Sequence, residues 1–220
     1  MHIQTMWYKV LMSDINQFKR VINYDNMNPE ELETLKKKLL LRQKTFQLKT
    51  LAQTNFLKFV KQVWPEFVEG SHHIKIAEKF QDLAEGKIKR LIVNMPPRHT
   101  KSEFASFLFP AWMMGRDPRL KIIQTTHTAE LSYRFGRKVR NLMEENAFQD
   151  IFDDLQLSQD SKAAGRWETN KGGEYFAAGV GGAITGRGAD LLIIDDPHSE
   201  QDALSETAME SAYEWYTSGP

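Results

Sequence analysis

Residues 94–107 read NMPPRHTKSEFASF. They follow a short apolar run, RLIV at 90–93, and lead into SEFASFLFPAWMM, a segment with helical character. A strand leading in, a helix leading out, and a lysine and a hydroxyl at the junction are the parts of a phosphate-holding loop. The helix N-terminus offers unpaired N–H groups, the lysine neutralises the β/γ oxygens, and the hydroxyl takes a magnesium ion. Lys101 and Ser102 stand at that junction. The two glycines of the G-x-x-x-x-G-K-[ST] pattern, however, fall on Met95 and Thr100, and a β-branched residue tolerates positive φ poorly. Such a loop must avoid that conformation or be held in it by strain. Taken alone, the stretch leaves two readings open: a nucleotide site built without glycine, or a proline turn that precedes a lysine.

A second stretch, LLIIDDPHS, decides between them. An apolar strand ending in two adjacent carboxylates, Asp195 and Asp196, puts both at the C-terminal edge of a parallel sheet, where open α/β folds bind ligands. One carboxylate can hold Mg²⁺ and its neighbour can orient or deprotonate an attacking water. Arg98 lies inside the loop and is a candidate for stabilising charge on a transferring phosphoryl group. Arg187 is another, within GVGGAITGRG (179–188), where five glycines in ten residues imply a backbone that must bend or approach something closely. Its flanking glycines predict a mobile, exposed arginine able to reach across an interface.

Outward from these stretches, short apolar runs alternate with amphipathic segments, the pattern of βα units around a parallel sheet. Expected strands are 90–95, 120–126, 173–180 and 190–195, and expected helices are 72–85, 101–114, 129–145 and 202–216. The fold class is therefore α/β, a P-loop NTPase with a mainly parallel central sheet flanked by helices. Residues 1–64 hold one proline and no glycine and form a helical N-terminal segment ahead of a core at 65–200. Asn28 is its expected N-cap, with Pro29 in the first helical position. From Lys36 to Lys49 this segment carries six basic residues and no acid, a solvated face or a phosphate-facing one.

Lys+Arg and Asp+Glu both number 29, so polyanion binding must come from local clusters, such as Arg134, Arg137, Lys138 and Arg140. The chain has no cysteine, which excludes disulfides, thiolate zinc sites and cysteine nucleophiles. Nothing in it has the length of a membrane-spanning run, and the first residues lack the order of a signal peptide, so a cytosolic setting is expected.

The blocks MPPRHTKSEFASFLFPAWMMGRDPRLKIIQTTHTAELSYRFGRKVRNLM and AGVGGAITGRGADLLIIDDP together resemble the ATPase domain of the large terminase subunit, the motor that packages DNA into procapsids of tailed bacteriophages. The likeness runs from about residue 65 to the end. It implies ATP and Mg²⁺ as ligands, with Pro97, Arg98, His99, Thr100, Lys101, Ser102 and Glu103 around the nucleotide. Ser102 and Asp195 would hold the metal, and Asp196, with Arg98 and Arg187, would serve catalysis. His72 or His73, in SHHIKIAEKF, falls in the region where the family contacts adenine. Most relatives have glycine at the position of Thr100, and many have glutamate at that of Asp196. The implied partners are double-stranded DNA, a portal protein, a small terminase subunit and further copies in a ring, in a host cytoplasm. The resemblance also implies that 201–220 begin a following helix or lid region and that a C-terminal nuclease domain lies beyond. A helicase-like ATPase and a non-hydrolysing nucleotide-fold scaffold are the alternatives.

Overall fold

The computed structural model describes residues 28–184 and 186–218. The helical expectation for residues 1–27 and the signal-peptide reading of the first residues lie outside them. Contacts divide the chain into two units, one ending at Leu48 and the other starting at Lys49, ahead of the core boundary expected at 65. In the first unit, Asn28 begins helix α1 (Pro29–Thr54) as expected. Its Oδ1 accepts from the Glu31 N–H at 2.9 Å, and Glu31 Oε2 accepts from the Asn28 N–H at 3.0 Å. This reciprocal box satisfies two donors that the helix ladder leaves free. Lys36, Lys37, Lys38, Arg42 and Lys44 are exposed along this helix.

The second unit is built around Phe56, which opens helix α2 (Phe56–Val63) behind the N-cap Asn55. Its buried ring has the rings of Phe80, Phe104, Phe109 and Trp112 within 5.6 Å. Those residues come from helix α3 (Ser71–Ala84) and from the helical run after the proline loop. That run starts at Lys101, passes through a wide π turn (Glu103–Leu108) and continues as α4 (Phe109–Arg116). Pro110 has no N–H to give the carbonyl four residues back, and the wide turn ahead of it absorbs the mismatch. The Trp112 indole donates to the Ala52 carbonyl at 2.8 Å, which pins the end of α1 to the same core.

Strand β1 (Lys121–Thr126) is central and buried over its last five residues. Helix α5 (Ala129–Glu144), capped by Thr128, and the short α6 (Asn146–Gln149) follow. The hairpin β2 (Leu157–Ala163) and β3 (Arg166–Thr169) comes next, then β4 (Glu174–Gly179) and β5 (Leu191–Ile194). A 3₁₀ turn (Asp202–Leu204) and α7 (Glu206–Ser218) end the described chain. The strand order is β2-β3-β4-β1-β5. β1 pairs in parallel with β4 and β5, whereas β2–β3 and β3–β4 are antiparallel.

The sheet is thus mixed, not mainly parallel, and the fold class is corrected to α/β with a five-stranded mixed sheet. The reason is the hairpin at 157–169, whose polar sequence LSQDSKAAGRWET carries no apolar run. A two-residue turn at Ala164-Gly165 suffices to join antiparallel strands. Trp167 anchors it, fully buried and stacked on Tyr175 at 4.8 Å with its indole N–H on the Gly136 carbonyl. A β-carbon on Gly136 would lie 2.6 Å from the Ala164 carbonyl oxygen, so this glycine is what lets α5 approach the hairpin. Burial pushes the Tyr175 phenol above its usual range and keeps it a donor, to Gln124 Oε1 at 2.6 Å.

The strand expected at 90–95 is also corrected. Leu91, Val93 and Met95 pack on the core while Ile92 is 86% exposed, an alternation suited to a strand, but no described strand pairs with the segment. Among the described residues no helix is long and apolar enough to cross a membrane.

Replacing Phe56 by Ala empties the centre of the aromatic cluster. Chemical denaturation should register a loss of about 3–5 kcal/mol, as for other buried Phe→Ala changes.

Candidate functional site

Because β1, β4 and β5 run in parallel, their C-terminal ends share one edge, and β5 delivers Asp195 and Asp196 there. The backbone locks the pair in place: Asp195 N–H donates to the Thr125 carbonyl at 2.9 Å, and the Asp196 carbonyl accepts from His127 N–H at 3.2 Å. Asp195 is buried, and its Oδ2 accepts from the Ser106 hydroxyl at 2.8 Å. Asp196 projects outward, its side chain 61% exposed.

The loop after 90–95 comes to the same edge. Lys101 Nζ is ion-paired with Asp196 Oδ1 and stands 3.8 Å from Asp195 Oδ1. A cleft of about 510 Å³ is lined by Pro96 to Arg98, by Thr100 to Glu103 and, from the sheet, by Asp196. Two stretches far apart in sequence therefore meet, although no described strand leads into the loop. Lys101 and Ser102 open the helical run, so the free N–H groups of its first turn add positive potential to the lysine's charge.

Backbone strain concentrates here. Three non-glycine residues among those described have positive φ: Arg98 (63°), Thr100 (63°) and Asp196 (44°), all lining this cleft. Such conformations cost on the order of 1–3 kcal/mol each and persist only where the surroundings enforce them. The two prolines do not spare the loop left-handed residues; the bend falls on Arg98 and Thr100.

Each remaining candidate has a definite place. His99 Nδ1–H donates to the Pro97 carbonyl at 2.9 Å, bracing the loop from within. Glu103 lines the cleft, yet both its oxygens accept from Lys138 Nζ at 2.7 Å, which occupies the carboxylate and ties α5 to the loop's helix. Arg98 is exposed and forms no ion pair among the described residues. Arg187 is exposed too, but not free: it donates to Glu174 Oε1 at 3.0 Å and lies 3.9 Å over the Phe176 ring. Glu174 opens β4, opposite Lys121 at the start of β1, so Arg187 is held at the edge facing away from Asp195. A residue that precedes a strand begins at the far end from the residue that follows it, and four residues of β5 separate the two ends by roughly 13 Å.

His73 does not project into the cleft. It is buried, with Phe67 and Phe104 against its ring, and contacts Thr100. Its imidazole is held below its ordinary 6.5, chiefly because burial disfavours the charged ring, then because His72 repels it; Glu69 acts the opposite way and His99 repels again.

Ser106 and Lys138 were not among the residues expected to shape the site. Ser106 had a signal, as a lone hydroxyl in the apolar run FASFLF one helical turn after Ser102 and hence on the same face. Lys138 had none, since its partner is set by the packing of α5.

A ring whose folded-state pKa is depressed stabilises the fold above its unfolded value and loses that contribution as pH falls through the window beneath it. The melting temperature should therefore drop as pH is lowered below the ordinary histidine value of 6.5, and His73→Gln should flatten that dependence. No family model matches the chain, and neither does any curated protein.

Proposed function

We propose that the chain is a P-loop ATPase, the motor domain of a terminase large subunit, hydrolysing ATP to drive double-stranded DNA into a procapsid. One observation carries the nucleotide reading: Lys101 and Ser102, at the start of a helix, share a strained cleft with Asp196, and Lys101 also stands 3.8 Å from the buried Asp195, the two acids that follow a parallel strand. A proline turn ahead of a lysine would not require left-handed residues on both sides of such a cleft.

The donor set also suits magnesium. Among the described residues no group of three or more His, Cys, Asp or Glu gathers as a metal site. What the cleft offers is oxygen, from Asp196 and the Ser102 hydroxyl, with buried Asp195 adjacent in sequence to Asp196. That suits a hard ion that keeps its waters and arrives on a triphosphate better than a resident one. Ser102 and Asp195 would hold it, and it would neutralise charge on the phosphate oxygens.

The residues divide the remaining work. Lys101 leaves Asp196 to meet the β/γ phosphates, which returns Asp196 to the cleft as a free carboxylate. Asp196, exposed and in a left-handed turn, then orients a water and accepts its proton. Arg98, the arginine that lines the cleft, offsets charge building on the transferred group. Arg187, pinned to Glu174, is not needed for this scheme. DNA would be gripped by exposed cations that read no sequence: Arg134 and Arg137 on α5, and the basic run of α1. Portal protein, small subunit and a ring of further copies follow from the resemblance to terminases.

Lys101→Ala should abolish ATP binding in a protein that still melts cooperatively. Asp196→Asn should bind ATP yet hydrolyse it roughly 10²-fold more slowly, as expected on losing a general base. Unchanged nucleotide affinity in a folded Lys101→Ala protein would refute the reading. DNA binding should be weak, indifferent to sequence and lost as salt is raised; strong retention at high salt would refute the DNA assignment.

A further inference from the structure

Thr100 precedes the phosphate lysine at a φ of 63°, where a β-branched side chain is disfavoured. A directed relay of hydrogen bonds converges on it. Gly70 N–H donates to His73 Nδ1 at 2.8 Å, which fixes that nitrogen as acceptor and puts the ring proton on Nε2. Nε2 faces Thr100 Oγ1 at 2.7 Å, and the hydroxyl in turn donates to the His99 carbonyl at 2.6 Å. The ring is itself immobilised, with Phe104 at 25° and 5.4 Å on one side and Phe67 edge-on at 4.8 Å on another.

We propose that His73 is a positioning residue of the phosphate loop: it clamps the Thr100 hydroxyl and so holds a β-branched residue in the left-handed conformation that presents Lys101 and Ser102 to phosphate. A glycine at 100 would adopt that backbone without help, so the clamp is the counterpart of having threonine there. A base-contacting role for His73 is replaced by this one, since both ring nitrogens are already engaged within the protein. The inference rests on the nucleotide reading above and deepens it.

A double-mutant cycle on the full chain tests it, with ATP affinity measured for each variant and thermal melting as a check on folding. His73→Phe keeps an aromatic ring between Phe67 and Phe104 but removes the donor; it should weaken ATP binding at least about fivefold. The same change made in the Thr100→Gly background should alter affinity by less than about twofold, because a glycine leaves nothing to clamp. Equal losses in both backgrounds would overturn the proposal, since a base contact or a purely packing role is blind to residue 100. If His73→Phe does not fold, Thr100→Val carries the test: it keeps the branched shape and removes the hydroxyl, and affinity equal to the unmodified protein would overturn the clamp. Lys101→Ala, measured alongside, separates the two levels. A loss there with no effect of His73→Phe sinks only the clamp, whereas no loss there sinks the nucleotide reading and the clamp with it.

Discussion

A buried carboxylate sets the terms for this molecule. Asp195 follows β5, the last strand in the sheet order, yet is itself buried, and a charge taken out of water must be paired or hydrogen-bonded, because an uncompensated one costs several kcal/mol. Its partners are Ser106, one turn into the helical run, and Lys101 at that run's start. Satisfying Asp195 therefore obliges the proline loop and its helix to sit across the C-terminal edge of β1 and β5. The position of the cleft follows from that requirement.

The aromatic cluster supports the same arrangement from below. Phe104, two residues before Ser106, turns into the core against Phe56, while Ser106 turns to the acid. The π turn spanning them gives the helix wider spacing at the point where both demands meet. Packing around Phe56 fixes the helix, and the fixed helix lets the loop keep left-handed residues at Arg98 and Thr100. Strain on one side of the cleft is thus maintained by burial on the other, the usual arrangement where a site must be preorganised. Lys138, holding Glu103 from α5, adds a third tether and offsets the negative charge of that carboxylate at the cleft.

Much of this was legible in the chain. The strand runs at 121–126, 174–179 and 191–194, the helices that flank them, the Asn28 cap and the pairing of the Lys101 loop with Asp195 and Asp196 all follow from apolar patterning and from chemistry that local sequence encodes. What escaped was non-local. The β2–β3 hairpin has no apolar run; among its described side chains Trp167 and Thr169 are buried and Leu157 packs on the core, too sparse a set to read as a strand pattern, and its pairing turned an expected parallel sheet into a mixed one. Residues 90–95 have a strand's alternation, but a strand is defined by a partner, and none of the described strands supplies one.

Arg187 and His73 show the same division at the level of the site. Flanking glycines made Arg187 look free, yet Glu174 and Phe176, brought beside it by the sheet, hold it at the edge away from the acids. His73 stood in a region read for base contact, and the fold turned it inward onto Thr100. Sequence by itself determined which chemistry is present, a lysine and hydroxyl at a helix start and two acids at a strand end, because those depend on residue type and spacing along one element. Tertiary structure alone decided which groups meet and which are already occupied, because hydrogen bonds and ion pairs form between atoms a few ångströms apart in space, and nothing in the spacing of residues 73 and 100, or 174 and 187, encodes that distance.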